Sequence, residues 1–384
     1  MLALDPFLTA EDRAFRDSVR EFLDQALTPE LRQAGRYATS VFTDPAISLE
    51  WQRILHAKGW AAPDWPEAFG GTGWSPLQRY IFAFECAVAN APNLAPMGLK
   101  MIAPVLFRYG TAEQQRYYLR RILSGEDYWC QGFSEPGAGS DLAALKLRAT
   151  GDGGDYVLDG SKIWTTHAHF ANRMFALVRT SGEGRPQSGI TFLMLDMDTA
   201  GISVQPIRNA SGEHDFNQVF FDGVRVPKAN RLGPENGGWD VAKYLLGFER
   251  GGRYAPALRA YLNLLEEAAS AASAAGPAMQ LTEEAAQIEA LCAMEIKAIS
   301  GHQDASQTAV QASMLKIVGT ELSQRLDRLA LQIAGPQAII SSQQQPDCLA
   351  ALAARRFLNN RAASIYAGSN EIQRDIIARV LLPS

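Results

Sequence analysis

The densest group of residues able to do chemistry is Gln-Gly-Phe-Ser-Glu-Pro-Gly-Ala-Gly-Ser-Asp at positions 131–141. An extended stretch, residues 128–133, runs here into a glycine-rich turn that exposes backbone N–H groups and the hydroxyls of Ser134 and Ser140. Such a turn can approach a flat or phosphorylated ligand closely. Gly137 and Gly139 could be half of a dinucleotide-binding fingerprint, but Pro136 and the alternating pattern around it do not give the required strand, turn and helix. On these residues alone a plain glycine-rich turn stays open. One hairpin later comes Lys162-Ile-Trp-Thr-Thr166, where an indole and two hydroxyls sit together; an ordinary strand aromatic with its neighbours is the alternative. Near the C-terminal end lies Ile-Tyr-Ala-Gly-Ser-Asn-Glu-Ile-Gln-Arg, residues 365–374.

Other chemistry-bearing residues give weaker signals. His167 and His169 alternate at the end of a presumed strand, and with His56, His214 and His302 they offer no third ligand at metal-site spacing. Asp152-Gly-Gly-Asp155 lacks the remaining ligands of a calcium loop and reads as a turn. Cys86, Cys130, Cys292 and Cys348 lie far apart, without the spacing of a zinc site or a disulfide frame, which fits a reducing compartment.

The elements that must position these groups change period twice. Residues 1–126 read as helices: Thr9 precedes the acidic Glu11 and Asp12 as an N-cap, and Phe15, Val19, Phe22 and Leu23 fall on one helical face. A breaker-rich connection at 63–73 separates further helices at 80–88 and 101–107. Residues 127–235 alternate with period two, in short runs at 156–160, 174–179, 190–195, 202–207 and 219–226. Asp159-Gly160, Gly182–Gly184, Asn209–Gly212 and Asp222-Gly223 are the turn signals, and a small antiparallel barrel or sandwich is expected. In residues 236–384 the helical period returns in long Ala/Leu-rich segments at 239–268, 282–307, 309–333 and 349–364, with 271–277 the loosest connection. The Ala/Leu stripes are read as bundle core. The fold class expected is therefore α+β: an N-terminal helical domain, a middle β domain and a C-terminal four-helix bundle.

Composition narrows the function classes. The chain has 384 residues, 47% hydrophobic and 20% charged, which is globular rather than disordered or collagen-like. A net charge of −5 without blocks of like charge makes nucleic acid and anionic membrane poor partners. Asp5, Glu11 and Asp12 sit where a signal peptide would be basic and then apolar, and no run approaches the ~18 apolar residues of a membrane helix. A cytoplasmic protein is expected.

Four segments together, Ser134-Glu-Pro-Gly-Ala-Gly-Ser-Asp141, Trp164-Thr-Thr166, Phe221-Asp-Gly-Val-Arg-Val-Pro227 and Tyr366 with Gln373-Arg374, resemble the acyl-CoA dehydrogenase family along essentially the whole chain. Trp129-Cys-Gln-Gly-Phe-Ser134 and Ser369-Asn-Glu-Ile-Gln-Arg374 are most similar to its branch of pimeloyl-CoA dehydrogenase large subunits and sterol side-chain-degrading enzymes. The resemblance implies FAD, held between the β domain and the bundle, and an acyl-CoA substrate oxidised to the trans-2-enoyl-CoA. It assigns backbone groups of Phe133 and Ser134 to the flavin pyrimidine edge, Trp164 to the side of the ring system and Thr166 to the neighbourhood of N5. Ser369 and Glu371 join them as cofactor-binding residues. Ser140 is assigned to the CoA arm and Arg250 to the substrate. A flavin-dependent oxidase or monooxygenase on the same fold, or a non-catalytic partner subunit, are the alternatives. An α-proton base argues against the oxygen-using enzymes, and the intact Trp164 and Thr166 side argues against a scaffold.

The commonest family pattern places the catalytic Glu directly after the tyrosine of the C-terminal motif. Here that position is Ala367, which cannot accept a proton. Some branches carry the base on the first bundle helix in a Glu-Arg pattern, which Phe248-Glu249-Arg250 matches. Glu249 follows Leu245, Leu246 and Phe248, an apolar setting that raises a carboxylate's pKa. The competing reading is a solvated Glu paired with Lys243, Arg250 or Arg253. Gly251-Gly252, costly inside a helix by ~1 kcal/mol each relative to Ala, leave room for a ligand or mark a helix break. Ala367 keeps its backbone N–H, which the resemblance assigns to polarising the thioester carbonyl. Its small side chain would admit bulky, branched or dicarboxylic acyl groups.

Assembly also departs from the homotetrameric pattern. The Arg-x-x-Phe and Gln-x-x-Gly-Gly segments that complete a neighbour's FAD site are replaced by Ser-Ala-Ala-Ser-Ala-Ala-Gly-Pro-Ala-Met-Gln at 270–280 and by Gln332-Ile-Ala-Gly-Pro336. Pro336 removes a backbone donor. An α2β2 heterotetramer with a paralogous subunit is expected, with an electron-transfer flavoprotein as electron acceptor.

Overall fold

The computed structural model describes residues 4–39, 43–249, 253–271, 275–300, 305–340 and 348–382. At 249, 275, 305, 306, 339 and 340 it describes the backbone alone. The early helices are α1 (Ala10–Ala26), α2 (Pro29–Arg36), α3 (Pro45–Lys58), α4 (Pro76–Val88), α5 (Ala103–Tyr109) and α6 (Ala112–Ser124). After the strands come α7 (Gly238–Glu249), α8 (Ala255–Ala271), α9 (Ala275–Ser300), α10 (Ala305–Ala334), α11 (Gln337–Ile340), α12 (Leu349–Asn359) and α13 (Asn370–Leu381). Local chemistry sets several starts. Thr9 Oγ1 accepts from Asp12 N at 3.2 Å while Asp12 Oδ2 accepts from Thr9 N at 3.0 Å, a reciprocal capping box. Ser75 with Gln78 and Thr111 with Gln114 repeat the device at α4 and α6.

The strands are β1 (Trp129–Gly132), β2 (Arg148–Asp152), β3 (Asp155–Lys162), β4 (Arg173–Arg179), β5 (Ile190–Asp196), β6 (Ile202–Ile207), β7 (Phe216–Pro227) and β8 (Arg231–Leu232). They form one open sheet in the order β6-β7-β3-β2-β4-β5-β8, with β1 added beside β4. This corrects the expectation of a closed barrel and of purely antiparallel pairing, while the α+β class with a middle β domain stands. The sheet has two free ends, and β1 and β2 both run parallel to β4. The reason is local: β4 pairs with β1 through Gly132↔Ala176 and with β2 only at Arg148↔Arg179, so the chain between them must leave the sheet and return. That excursion is the glycine-rich segment.

Two turn signals also behave differently. Asp159-Gly160 and Asp222-Gly223 do not end strands; they face each other where the β3–β7 register shifts between Leu158 and Gly160. Asp159 Oδ1 accepts from Gly223 N at 3.0 Å, so the aspartate closes the irregularity from within the ladder. The β2–β3 turn instead falls at Asp152-Gly-Gly-Asp155, with Gly153 at φ +56°. The helical segment expected at 239–268 overlaps α7 and α8, and Gly251-Gly252 lies outside the described residues.

The chain divides into two compact units: Met1–Leu55, Gly71–Leu94 and Arg250–Ser384 in one, His56–Gly70 and Ala95–Glu249 in the other. The first is a helical bundle whose core joins Tyr80 and Phe84 of α4, Leu262 and Leu265 of α8, Leu291 of α9, Leu322 and Leu326 of α10 and Leu352 of α12. The second is built on the sheet, with Leu158, Met174, Ala176, Val178, Leu193, Val219 and Val224 packed in its core.

Inside the bundle the buried Glu295 of α9 holds the start of α8. Its carboxylate accepts from Tyr254 N at 2.6 Å, Ala255 N at 3.2 Å and the Tyr80 hydroxyl at 2.7 Å. Burial pushes its pKa up, against the pull of those donors. Glu295→Ala orphans three buried donors at ~1–3 kcal/mol each. A destabilisation on the order of 3–5 kcal/mol is expected in urea unfolding. Glu295→Gln, which keeps an acceptor oxygen, should cost clearly less; equal losses for the two variants would contradict this account.

Candidate functional site

The β unit presents two turns that bear the sequence-derived residues. The first begins at Phe133, which is buried, and continues through the half-buried Ser134 to the exposed Ser140. Its stem rests on a buried ion pair. Lys162, wholly buried, donates to Phe133 O at 3.1 Å and to Glu135 Oε1 at 2.8 Å. Glu135 also accepts from Lys146 N at 2.6 Å and Leu147 N at 2.8 Å, so one carboxylate ties the two ends of the excursion together. Burial lowers the Lys162 pKa to about 8 against the stabilising charge of Glu135. Beyond the stem, a Cβ added at Gly137 or Gly139 would meet no atom within 4 Å, so neither glycine is there for tight internal packing.

Ile163 N donates to Ser134 O at 2.9 Å and brings the second turn alongside the first. There Trp164 has φ +58° and its indole is 57% exposed, unusual for so large an apolar group. Thr166 is half-buried beside it. The turn is held by Asn217 at the start of β7. Thr165 N donates to Asn217 O at 3.0 Å, and Asn217 N and Nδ2 both donate to Thr165 O at 3.1 Å. The buried Thr165 Oγ1 has no hydrogen-bond partner among the described residues.

Sequence reading missed the support that histidines give here. His214 Nε2 lies 2.8 Å from Asn217 Oδ1, His169 Nδ1 lies 2.9 Å from Asn217 Nδ2, and the two imidazoles stack at 3.9 Å. Burial and the neighbouring His214 and His167 push the His169 pKa down to about 4, so it stays neutral near pH 7 and accepts from the Asn217 amide. His167 lies 2.6 Å from the Tyr128 hydroxyl. Among the described residues no group of His, Cys, Asp and Glu could hold a metal ion. The signal for Lys162 was present in the sequence: it falls on the inward phase of β3 with Tyr156 and Leu158.

The bundle unit carries the other residues. Ala367 has φ +55° and Gly368 φ +80°, a left-handed pair just ahead of α13. The Ala367 N–H donates to no group among the described residues. Ser369 caps α13, accepting from Ile372 N at 3.4 Å. Glu371 is exposed in the first turn, its pKa lowered by the backbone N–H at the helix start and by Ser369. Glu249, by contrast, belongs to the sheet unit as the last residue of α7, where Lys243, one of its possible solvent-side partners, is paired with Asp240 at 2.8 Å. The Glu249 side chain and Arg250 lie outside the described residues. The structure thus brings Phe133, Ser134, Trp164 and Thr166 together, and groups Ala367, Ser369 and Glu371 separately in the bundle unit.

Within the sheet unit, an exposed indole on a fixed left-handed turn and a buried hydroxyl next to it without a partner among the described residues suit a flat, polar-edged cofactor such as a flavin. The fold and these sites define a flavoprotein of helical and sheet units. Three matches cover nearly the whole chain: the acyl-CoA dehydrogenase N-terminal domain at residues 9–126, the middle domain at 130–224 and the C-terminal domain at 236–382. The chain belongs to the acyl-CoA dehydrogenase family, oxidoreductases acting on CH–CH groups with FAD as cofactor. Acyl-CoA dehydrogenase IpdE1 of Mycobacterium tuberculosis is 35% identical, covering 86% of either chain, and FadE26 of the same organism is 33% identical, covering 97% of either. A structure titled Tcur3481-Tcur3483 steroid ACAD matches with TM-score 0.85 at 29% identity, over 98% of each chain. The ChsE4-ChsE5 complex from Mycobacterium tuberculosis matches with TM-score 0.81 at 30% identity, also over 98% of each. No helix among the described residues is long and apolar enough to cross a membrane.

The Lys162–Glu135 pair gives a test of the first turn. Lys162→Met leaves a buried carboxylate without its cation and should cost ~3–5 kcal/mol of stability. The double variant Lys162→Met/Glu135→Gln should recover a large part of that loss in thermal unfolding. Simple addition of the two single-variant losses would contradict the coupling.

Proposed function

We propose that the protein oxidises an acyl-CoA thioester to the trans-2-enoyl-CoA, with Glu249 as the base that removes the α proton. The observation that carries this reading is Ala367. The position where the family's commonest base would stand holds a methyl group on left-handed backbone, so the proton acceptor must come from another element. Phe248-Glu249-Arg250 at the end of α7 supplies an ionisable group in an otherwise apolar run. FAD, when bound, supplies the acceptor for the hydride lost from the β carbon.

The chain's own residues divide the remaining work. The N–H of Ala367 donates to the thioester carbonyl and lowers the cost of placing charge on its oxygen as the α proton leaves. Phe133 and Ser134, through backbone groups, and Trp164 and Thr166, through their side chains, would hold the flavin. Ser369 and Glu371 complete the cofactor contacts from the start of α13. Ser140 and Arg250 bind the substrate, Ser140 on its CoA arm.

The small side chain at 367 favours a bulky, branched or dicarboxylic acyl group. Support comes from the steroid enzyme named among the similar structures and from the sterol-type branch that the motifs resemble. An α2β2 assembly with a paralogous subunit is supported by Pro336 and the segment at 270–280, and the similar ChsE4-ChsE5 structure is itself a complex of two components. An electron-transfer flavoprotein in the cytoplasm is the proposed electron acceptor.

Glu249→Gln should abolish reduction of the flavin by substrate while the yellow cofactor stays bound, followed by anaerobic absorbance at the flavin band. A variant that still turned over at near wild-type rate would remove Glu249 from the mechanism. Expressed alone, the chain should bind FAD poorly; stoichiometric FAD in a stable homotetramer would contradict the heteromeric assembly.

A further inference from the structure

The backbone at Ala367 needs a hold of its own. Left-handed φ at a non-glycine residue is sparsely populated and persists only where surrounding structure over-determines it. The group that reaches this turn is the carboxamide of Gln373, on the first turns of α13. Gln373 is 0% exposed, and its Nε2 lies 3.3 Å from both Ala367 O and Gly368 O. Its Oε1 is buried with no hydrogen-bond partner among the described residues. A buried acceptor left open costs ~1–3 kcal/mol, so packing alone does not explain this orientation. The flipped amide would set its oxygen against two carbonyl oxygens, and the loop therefore fixes which end of the amide faces it. Gly368 makes the approach possible: a Cβ there would lie 2.6 Å from Gln373 Nε2.

The support continues away from the loop. Asn370, on the same buried face of α13, accepts from Lys316 Nζ of α10 at 2.8 Å. Arg374 donates to Glu321 of α10 at 2.8 Å. These bonds fix α13 against α10 from both sides of Gln373, so its amide meets the loop from a rigid base.

We infer that Gln373 is a positioning residue for the thioester carbonyl: by binding the Ala367 and Gly368 carbonyls it fixes the two peptides that follow the Ala367 N–H, and with them the left-handed backbone at Ala367 that sets the direction of the N–H that polarises the substrate. This rests on the role proposed above for the Ala367 N–H. With no carboxylate at 367, that N–H is the turn's whole contribution to the reaction. A small rotation of the peptide would misdirect it, and hydrogen-bond strength falls steeply with angle.

The test separates the two claims. Cyclohex-1-enecarbonyl-CoA labelled with ¹³C at the thioester carbonyl is bound to the FAD-loaded enzyme, and its C=O stretch is read by isotope-edited infrared difference spectroscopy. Wild type should lower the stretch relative to the free thioester. Gln373→Met should return it toward the free value, with flavin content kept, thioester affinity little changed and the rate of flavin reduction down about 10- to 100-fold. Gln373→Glu preserves the packing and should regain the lowered stretch as acid restores an O–H donor. If wild type and Gln373→Met lower the stretch equally, the role of Gln373 is overturned while that of Ala367 stands. If wild type does not lower it, the Ala367 reading itself fails.

Discussion

In the proposed mechanism, the left-handed backbone at Ala367 is the constraint on which the rest depends. Its N–H makes no hydrogen bond among the described residues, and alanine offers no side chain that can ionise. In the mechanism proposed above, two demands that a single residue could meet, accepting a proton and standing beside the carbonyl, are thereby separated: the donor is assigned to the loop and the acceptor to another helix. A methyl group in place of a carboxylate also takes up less space, which is the basis of the proposed preference for a bulky, branched or dicarboxylic acyl group.

The two units solve the same local problem by the same means. Each has a turn with a non-glycine residue at positive φ, Trp164 in one and Ala367 in the other, and each turn is read by a buried carboxamide. Asn217 holds the Thr165 peptide with both its backbone and its side chain, and Gln373 holds the Ala367 and Gly368 carbonyls. Carboxamides suit this work because they bind neutral peptide groups without burying a charge. Where a charge is buried under the glycine-rich segment it is paired: Lys162 meets Glu135, and Glu135 is further satisfied by two backbone donors. Polar groups are thus buried here to aim backbone.

Much of this architecture is legible from residue patterns. Thr9 and Asp12 announce α1, period-two runs locate β4 to β7 within a few residues, and the Ala/Leu stripes mark the bundle core. The errors have physical causes. Asp159-Gly160 and Asp222-Gly223 carry turn chemistry, but facing each other across two strands they form a bulge that only the pairing reveals. The open sheet escapes a period-two reading, because alternation says which face a residue takes and not which strand lies beside it. For the site, the motifs locate the two turns but not what holds them. Asn217 looks like an ordinary polar residue until the fold brings it to the Thr165 peptide, the His169–His214 stack gains its role only by meeting the Asn217 carboxamide, and the Gln373 motif position does not by itself say which carbonyls its amide binds.

The most direct measurement of the account is a structure of the FAD-loaded enzyme with an acyl-CoA analogue bound, read for the distance between the Glu249 carboxylate and C2 of the acyl group. A carboxylate oxygen about 3–3.5 Å from C2, the separation of a reacting pair, is the result expected. A Glu249 carboxylate in bulk water, with another ionisable group against C2, would contradict it.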